Sequence, residues 1–347
     1  MLGRPPAGGP LDPTLPPGAL DLAAASQSPC TGCAAWCCTV LPVHSFTIDR
    51  WSDLDYARYL LNFARIELAL IETGAWQVHY RAPCRHFMAA ERRCAVHRQP
   101  EQPSVCRAYD AYNCAYRAIW GERGRPALRM DRGRLDAWAA MVLFDEQREI
   151  IGVPDFAHLP AALPPLAPVS DPPVPPSAVL AQALGGLPAP APLARPFAAL
   201  AEPCAGCAAW CCTRLSFPRQ APTSAANLDH LGFCLGFDGV EAGVDRAGNW
   251  TLTLRTACAH RVVTPEGAGR CGLYDDPARP RVCERYDGRA CAYKARYGRP
   301  DPGDFVRLDR SRLARLSATL QVDADFRVVN LPDFDALVGI VTAPEQP

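Results

Sequence analysis

Of 347 residues, 36 are Lys or Arg and 36 are Asp or Glu, so the chain has no formal net charge, and 49% of it is apolar. That composition excludes a wholly disordered chain, which lacks the apolar residues for a core. It also excludes the strongly basic field on which non-specific nucleic-acid binding relies. Proline, at 36 residues, is about twice its ordinary usage, and 17 cysteines are far more than packing requires.

Residues 1–19 are Pro-rich and read as a disordered tail, with prolines interrupting every apolar run after Met1. No stretch approaches the roughly 18–20 apolar residues of a membrane helix. The expectation is a soluble, cytoplasmic protein with neither membrane nor nucleic acid as partner. In that compartment thiols stay reduced, so dense cysteines point to metal binding or catalysis before disulfides.

From residue 20 the chain is one unit written twice. Cys30-Thr-Gly-Cys33-Ala-Ala-Trp-Cys37-Cys38-Thr39 returns as Cys204-Ala-Gly-Cys207-Ala-Ala-Trp-Cys211-Cys212-Thr213, at an offset of 174. The same offset carries Trp76 to Trp250, Cys84 to Cys258 and His86 to His260. At an offset of 177, Cys94, Cys106 and Cys114 map to Cys271, Cys283 and Cys291. Arg129-Met-Asp131-Arg132 and Pro154-Asp-Phe156 return as Arg307-Leu-Asp309-Arg310 and Pro332-Asp-Phe334. Sixteen cysteines are thus paired; the leftover Cys234 aligns with Leu60 and reads as a small core residue.

After the cysteine pair, Ser52-Asp-Leu54-Asp55 predicts a helix with Ser52 as its N-cap. The alternation of Val240–Val244 and Trp250–Arg255 around a Gly-containing turn predicts a hairpin. Mapped back, it predicts a second hairpin over Ile66–Ile71 and Trp76–Arg81. Pro103 and Pro280 open a further helix, in the first copy reaching about Trp120. That helix places Cys106 near its positive end, which favours the thiolate. A strand–helix–strand follows over Ala127–Met130, Leu135–Leu143 and Glu149–Val153. Residues 157–198 hold a dozen prolines and read as a semi-rigid linker, with a short helix at 177–184. The expected fold class is α+β: two tandem small cysteine-cluster domains of helices and short β-hairpins, organised around metal sites. Their limits are residues 20–156 and 199–347.

Thiolates are soft ligands that select zinc, copper(I) or iron–sulfur clusters. The ligand candidates are Cys30, Cys33, Cys37, Cys38, Cys84, Cys94, Cys106 and Cys114 in the first unit. In the second they are Cys204, Cys207, Cys211, Cys212, Cys258, Cys271, Cys283 and Cys291. Each C-x2-C aims two sulfurs at one ion or cluster. The adjacent Cys37 and Cys38 are expected to diverge, serving different metal atoms or one facing the site and the other the core. The count accommodates two zinc sites, one [4Fe–4S] cluster with spare thiols, or one of each. His86 and His260 stand in the same C-x-H context, as ligands or as hydrogen-bond partners of a sulfur. Arg85, Arg92, Arg93, Arg107, Arg261, Arg270, Arg281 and Arg285 crowd the cysteines and could offset thiolate charge. Tyr109-Asp110 and Tyr286-Asp287 are also paired between the copies. No phosphate loop, Rossmann glycine pattern or H-E-x-x-H occurs.

The run C-x2-C-x3-C-C followed by Cys84, Cys94 and P-x-V-Cys106-x2-Tyr resembles the YkgJ-like cysteine-cluster family. Its members are bacterial proteins described as zinc- or iron-chelating domains. The resemblance covers both units, about four fifths of the chain, with three residues where the family usually has two between the second and third cysteines. It implies a metal-binding protein holding zinc or an iron–sulfur cluster, for structure, metal handling or contact with a protein partner. The family also includes the flagellin lysine N-methylases, which implies the alternative of a S-adenosylmethionine-dependent iron–sulfur enzyme. No catalytic residue carries over.

Overall fold

Each half of the chain uses its alternating apolar residues in a central hairpin and adds a strand on either side. The computed structural model describes residues 35–91, 93–108, 116, 127–167, 209–263, 269–285, 291–297 and 303–343. The tail 1–19, the helix expected at 177–184, the extension of the second helix to Trp120, Arg92 and both Tyr-Asp pairs lie outside these residues.

In the first half, the turn α1 (Trp36–Thr39) leads to β1 (Val40–Phe46), α2 (Trp51–Leu60), β2 (Ile66–Ile71) and β3 (Trp76–Arg81). Then come β4 (Phe87–Met88), β5 (Arg93–Cys94), α3 (Ser104–Arg107), β6 (Ala127–Met130), α4 (Arg132–Ala139), β7 (Leu143–Phe144), β8 (Ile150–Gly152) and α5 (Leu159–Ala162). In the second half, a 3₁₀ turn at Trp210–Cys212 leads to β9 (Arg214–Arg219), α6 (Ala225–Cys234), β10 (Val240–Asp245) and β11 (Trp250–Arg255). It continues with β12 (Arg261–Val263), β13 (Gly269–Cys271), α7 (Arg281–Glu284), α8 (Ala292–Tyr297), β14 (Phe305–Leu308), α9 (Arg310–Thr319) and α10 (Phe334–Thr342). The fold class is α+β.

The two main sheets are antiparallel and four-stranded, ordered β1-β3-β2-β6 and β9-β11-β10-β14. Corresponding residues stand opposite one another: Leu68 faces Val78 and Met130, and Ala242 faces Leu252 and Leu308. Small hairpins β4-β5, β7-β8 and β12-β13 decorate them. Among the described residues no helix is long and apolar enough to cross a membrane.

Three expected boundaries move, the simplest being the helix expected over Leu135–Leu143, which runs over Arg132–Ala139 and leaves Leu143 in β7. The helix α2 starts at Trp51, not after a Ser52 cap, because the Trp51 side chain is buried while Ser52 is exposed. Asp53 rather than Ser52 supplies the capping oxygen, its Oδ2 accepting from the Arg50 amide at 3.1 Å. In the second half Ser224 caps α6 conventionally, accepting from Asn227 N at 3.2 Å. The stretch read as linker begins later than residue 157: Leu159 and Leu163 are buried in the core, at 1% and 7% exposure.

The halves share one hydrophobic core, in which Leu54, Leu60 and Tyr80 join Leu231, Phe237 and Leu254. They meet around an approximate two-fold. Ala64 N donates to Ala257 O and Ala259 N to Asn62 O; reciprocally, Asp238 N donates to Pro83 O and Arg85 N to Gly236 O, at 2.7–3.1 Å. These bonds pair Phe63 with Cys258 and Phe237 with Cys84. Separating the halves would uncover Phe63 and Phe237, now 3% and 2% exposed, at about 3–6 kcal/mol for the two. The same symmetry docks helices. Asp55 on α2 accepts from Arg281 N at the start of α7, and Asp229 on α6 accepts from Ser104 N at the start of α3, both at 2.8 Å.

Candidate metal centre

Three local devices gather the cysteines of each half. The first is a left-handed alanine. Ala35 (φ 55°, ψ 38°) and Ala209 (φ 54°, ψ 47°) precede the Trp-Cys-Cys turns. A residue with Cβ pays about 1–2 kcal/mol for that region, and the same strain occurs at both positions. It turns the two adjacent thiols to one side. The Sγ atoms of Cys37 and Cys38 lie 4.0 Å apart, those of Cys211 and Cys212 3.9 Å. The expected divergence of the adjacent pair is therefore corrected, because the tight turn overrides the alternation of a strand.

The second device is a ladder beyond the sheet. Past the register that pairs Val40 with Arg81, Ala82 N donates to Thr39 O (3.0 Å) and Cys84 N to Cys38 O (2.7 Å). Thr256 N to Thr213 O (3.0 Å) and Cys258 N to Cys212 O (2.7 Å) repeat it. The third is the short hairpin. Phe87 pairs with Cys94 and Arg261 with Cys271, which folds Cys94 and Cys271 back toward His86 and His260. Cys106 and Cys283 then arrive on α3 and α7, the helices docked on the opposite half.

In the second half, Cys211, Cys212, Cys258, Cys271, Cys283 and Cys291 line one cavity of about 70 Å³, together with His260. That exceeds the ~10–15 Å³ a single water needs. In the first half, Cys84, Cys94 and Cys106 all feel the charge of Cys37. Cys30, Cys33, Cys114, Cys204 and Cys207 lie outside the described residues. Among the described residues, no three His, Cys, Asp or Glu side chains are already gathered around one point as ligands of a metal ion. Cys234 is a fully buried core residue on α6, its thiol pushed up to about 11 by burial.

Burial dominates the thiol electrostatics. It pushes Cys106 up to about 12, with the neighbouring Cys37, Cys84 and Cys94 adding to it. Cys258 rises to about 11 for the same first reason, and Cys283 rises well above the ordinary range. The expected helix-end stabilisation of the Cys106 thiolate is thus reversed. A single turn of helix offers at most about 1 kcal/mol, and burial outweighs it. Cys211 moves the other way, down to about 7, because the Cys212 thiol hydrogen-bonds to it. Thiols held protonated by burial give up their protons when a soft cation binds, which couples metal binding to proton release.

The donor chemistry fits a soft metal. Zinc–sulfur bonds of about 2.3 Å set a tetrahedral edge of ~3.8 Å, close to the spacing of both adjacent pairs.

The second-half cavity also carries residues that sequence reasoning missed. Tyr59, Asn62 and Phe63 line it from the first half. Arg279 lines it too, donating to Cys283 O at 2.8 Å and lying 4.3 Å from the Tyr274 ring centroid. The recurrence of Arg132 as Arg310 was the available signal for a further pair. Arg310 Nη1 reaches His86 Nε2 at 3.4 Å, while Arg132 acts electrostatically on Cys258 and His260. Both histidines are depressed first by burial and then by neighbouring arginines. No family model matches this chain, and neither does any curated protein or solved structure.

Proposed function

We propose that the chain is a metal-binding protein of the YkgJ-like kind, whose two halves each hold zinc through cysteine thiolates. The observation that carries this is the wall of six cysteines around one cavity in the second half. Zinc is favoured over a [4Fe–4S] cluster by the 3.9–4.0 Å spacing of the adjacent thiols. Two sulfurs at that spacing suit one tetrahedral ion, whereas each iron of such a cluster takes a single cysteine. Four of Cys211, Cys212, Cys258, Cys271 and Cys283 would hold the zinc in the second half, and four of Cys37, Cys38, Cys84, Cys94 and Cys106 in the first. When bound, it would cross-link the start, middle and end of each half, worth ~10–16 kcal/mol of folding energy per structural zinc.

Elemental analysis and an ultraviolet–visible spectrum of anaerobically purified protein test this. Stoichiometric zinc in a colourless protein is expected. A brown, iron-containing protein would transfer the reading to an iron–sulfur centre and make S-adenosylmethionine dependence the next measurement. Protein free of any metal that folds with unchanged circular dichroism would end the structural role.

A further inference from the structure

Arg132 and Arg310 occupy equivalent places, each the first residue of a helix capped by the preceding aspartate. Among the described residues neither pairs with a carboxylate. Arg132 Nη2 donates to two neutral oxygens, Arg58 O at 2.9 Å and Asn62 Oδ1. Asn62 lines the second-half cavity, and its own carbonyl accepts the Ala259 amide, between Cys258 and His260. Arg310 reaches His86 directly, beside the point where Gly236 O accepts the amide of Arg85, between Cys84 and His86. Arg310 thus crosses the two-fold to the Cys-x-His segment of the other half. Arg132 stays on first-half oxygens at the seam, with Asn62 between it and Ala259, and reaches Cys258 and His260 through its charge.

The environments of the two differ. Arg132 Nε is shielded from solvent, and behind it Arg58 is 2% exposed, its charge matched by Asp136 at 3.0 Å. Arg310 is exposed. Gly232 stands at the position corresponding to Arg58, Ala314 at that of Asp136 and Gly236 at that of Asn62, so no comparable layer backs it. A zinc ion with four thiolates carries a formal double negative charge, and a desolvated cation offsets such a charge far better than a solvated one.

Resting on the metal-binding reading, we propose that the arginines are exchanged between the halves as counter-charges. Arg132 serves the cysteine centre of the second half and Arg310 that of the first, and the half-buried setting of Arg132, against the exposed one of Arg310, makes the second-half centre the slower to release its metal.

The test uses full-length chains with one centre disabled, by Cys84→Ser with Cys106→Ser or by Cys258→Ser with Cys283→Ser. Zinc release to a chromogenic chelator is timed. Arg132→Gln is expected to speed release from the second-half centre roughly 10- to 100-fold and to leave the first-half centre within about twofold. Arg310→Gln should speed only the first-half centre, by no more than about fivefold, as for an exposed charge. A second measurement needs no arginine variant: raising ionic strength from about 0.05 to about 0.5 M should speed release from the first-half centre more than from the second, because exposed charge is the more screened. Equal effects of each arginine on both centres, effects on its own half only, or equal salt sensitivity would overturn the exchange. A wild-type chain that binds no zinc would overturn the metal-binding reading, and this inference with it.

Discussion

Asp55 allows a quantitative test of how the two halves are joined. Its carboxylate is buried on α2, 8% exposed, where it accepts the Arg281 amide of the opposite half at 2.8 Å. Burial raises it from 3.8 to about 6, against the lowering effects of that hydrogen bond and of Arg58 and Arg281, with Glu284 adding to the rise. Between pH 4 and 6 the folded chain therefore keeps a proton that the unfolded chain has lost. Stability then falls as pH rises through this window, and above it the full loss applies, about 3 kcal/mol. Asp55→Asn retains an oxygen for the Arg281 amide and removes the charge. It is expected to match wild type near pH 4 and to exceed it by up to about 3 kcal/mol at pH 7.5, a shift of about 1 M or more in the urea midpoint. Urea unfolding at several pH values, with reductant and zinc identical for both proteins, measures the difference while cancelling acid release of metal. A difference that stays flat with pH, or a variant less stable than wild type at pH 7.5, would refute the reasoning.

Three further outcomes are expected. A Cβ at Gly243 would collide with the Phe305 ring, so Gly243→Ala should cost about 1–3 kcal/mol; adding Phe305→Ala, which copies the Ala69 and Ala127 of the first half, should recover part of it in a double-mutant cycle of thermal unfolding. At the left-handed Ala209, Gly should be neutral to about 1 kcal/mol stabilising, whereas Val should destabilise and loosen zinc retention in a chelator assay. Leu159→Ala should cost about 2–5 kcal/mol in chemical unfolding; no loss would return residues 157–163 to the status of linker.

Local patterns carried much of this structure. The hairpins Ile66–Ile71 with Trp76–Arg81 and Val240–Asp245 with Trp250–Arg255 were legible because alternation and a glycine turn are nearest-neighbour signals. The Trp51 start was not, because the burial of Trp51 is a tertiary fact that outranked the serine signal at Ser52. The side-by-side thiols of Cys211 and Cys212 depend on a backbone conformation at Ala209 that alanine rarely adopts, so nothing in the residue type announced it. The contribution of Asn62, Phe63 and Arg132 to the opposite half was hidden for a different reason. Pairing between residues almost two hundred positions apart leaves no periodicity, and only the recurrence of Arg132 as Arg310 hinted at it.

The pairing of Asn62 with Ala259 and of Gly236 with Arg85 has the geometry of an isologous contact. In an assembly of identical subunits, any side chain installed beside one site is installed beside its mate. A single polypeptide carrying both copies escapes that obligation: Arg58 and Asn62 can flank one pole while Gly232 and Gly236 flank the other. Covalent joining thus lets a near-symmetric architecture house two chemically unequal compartments.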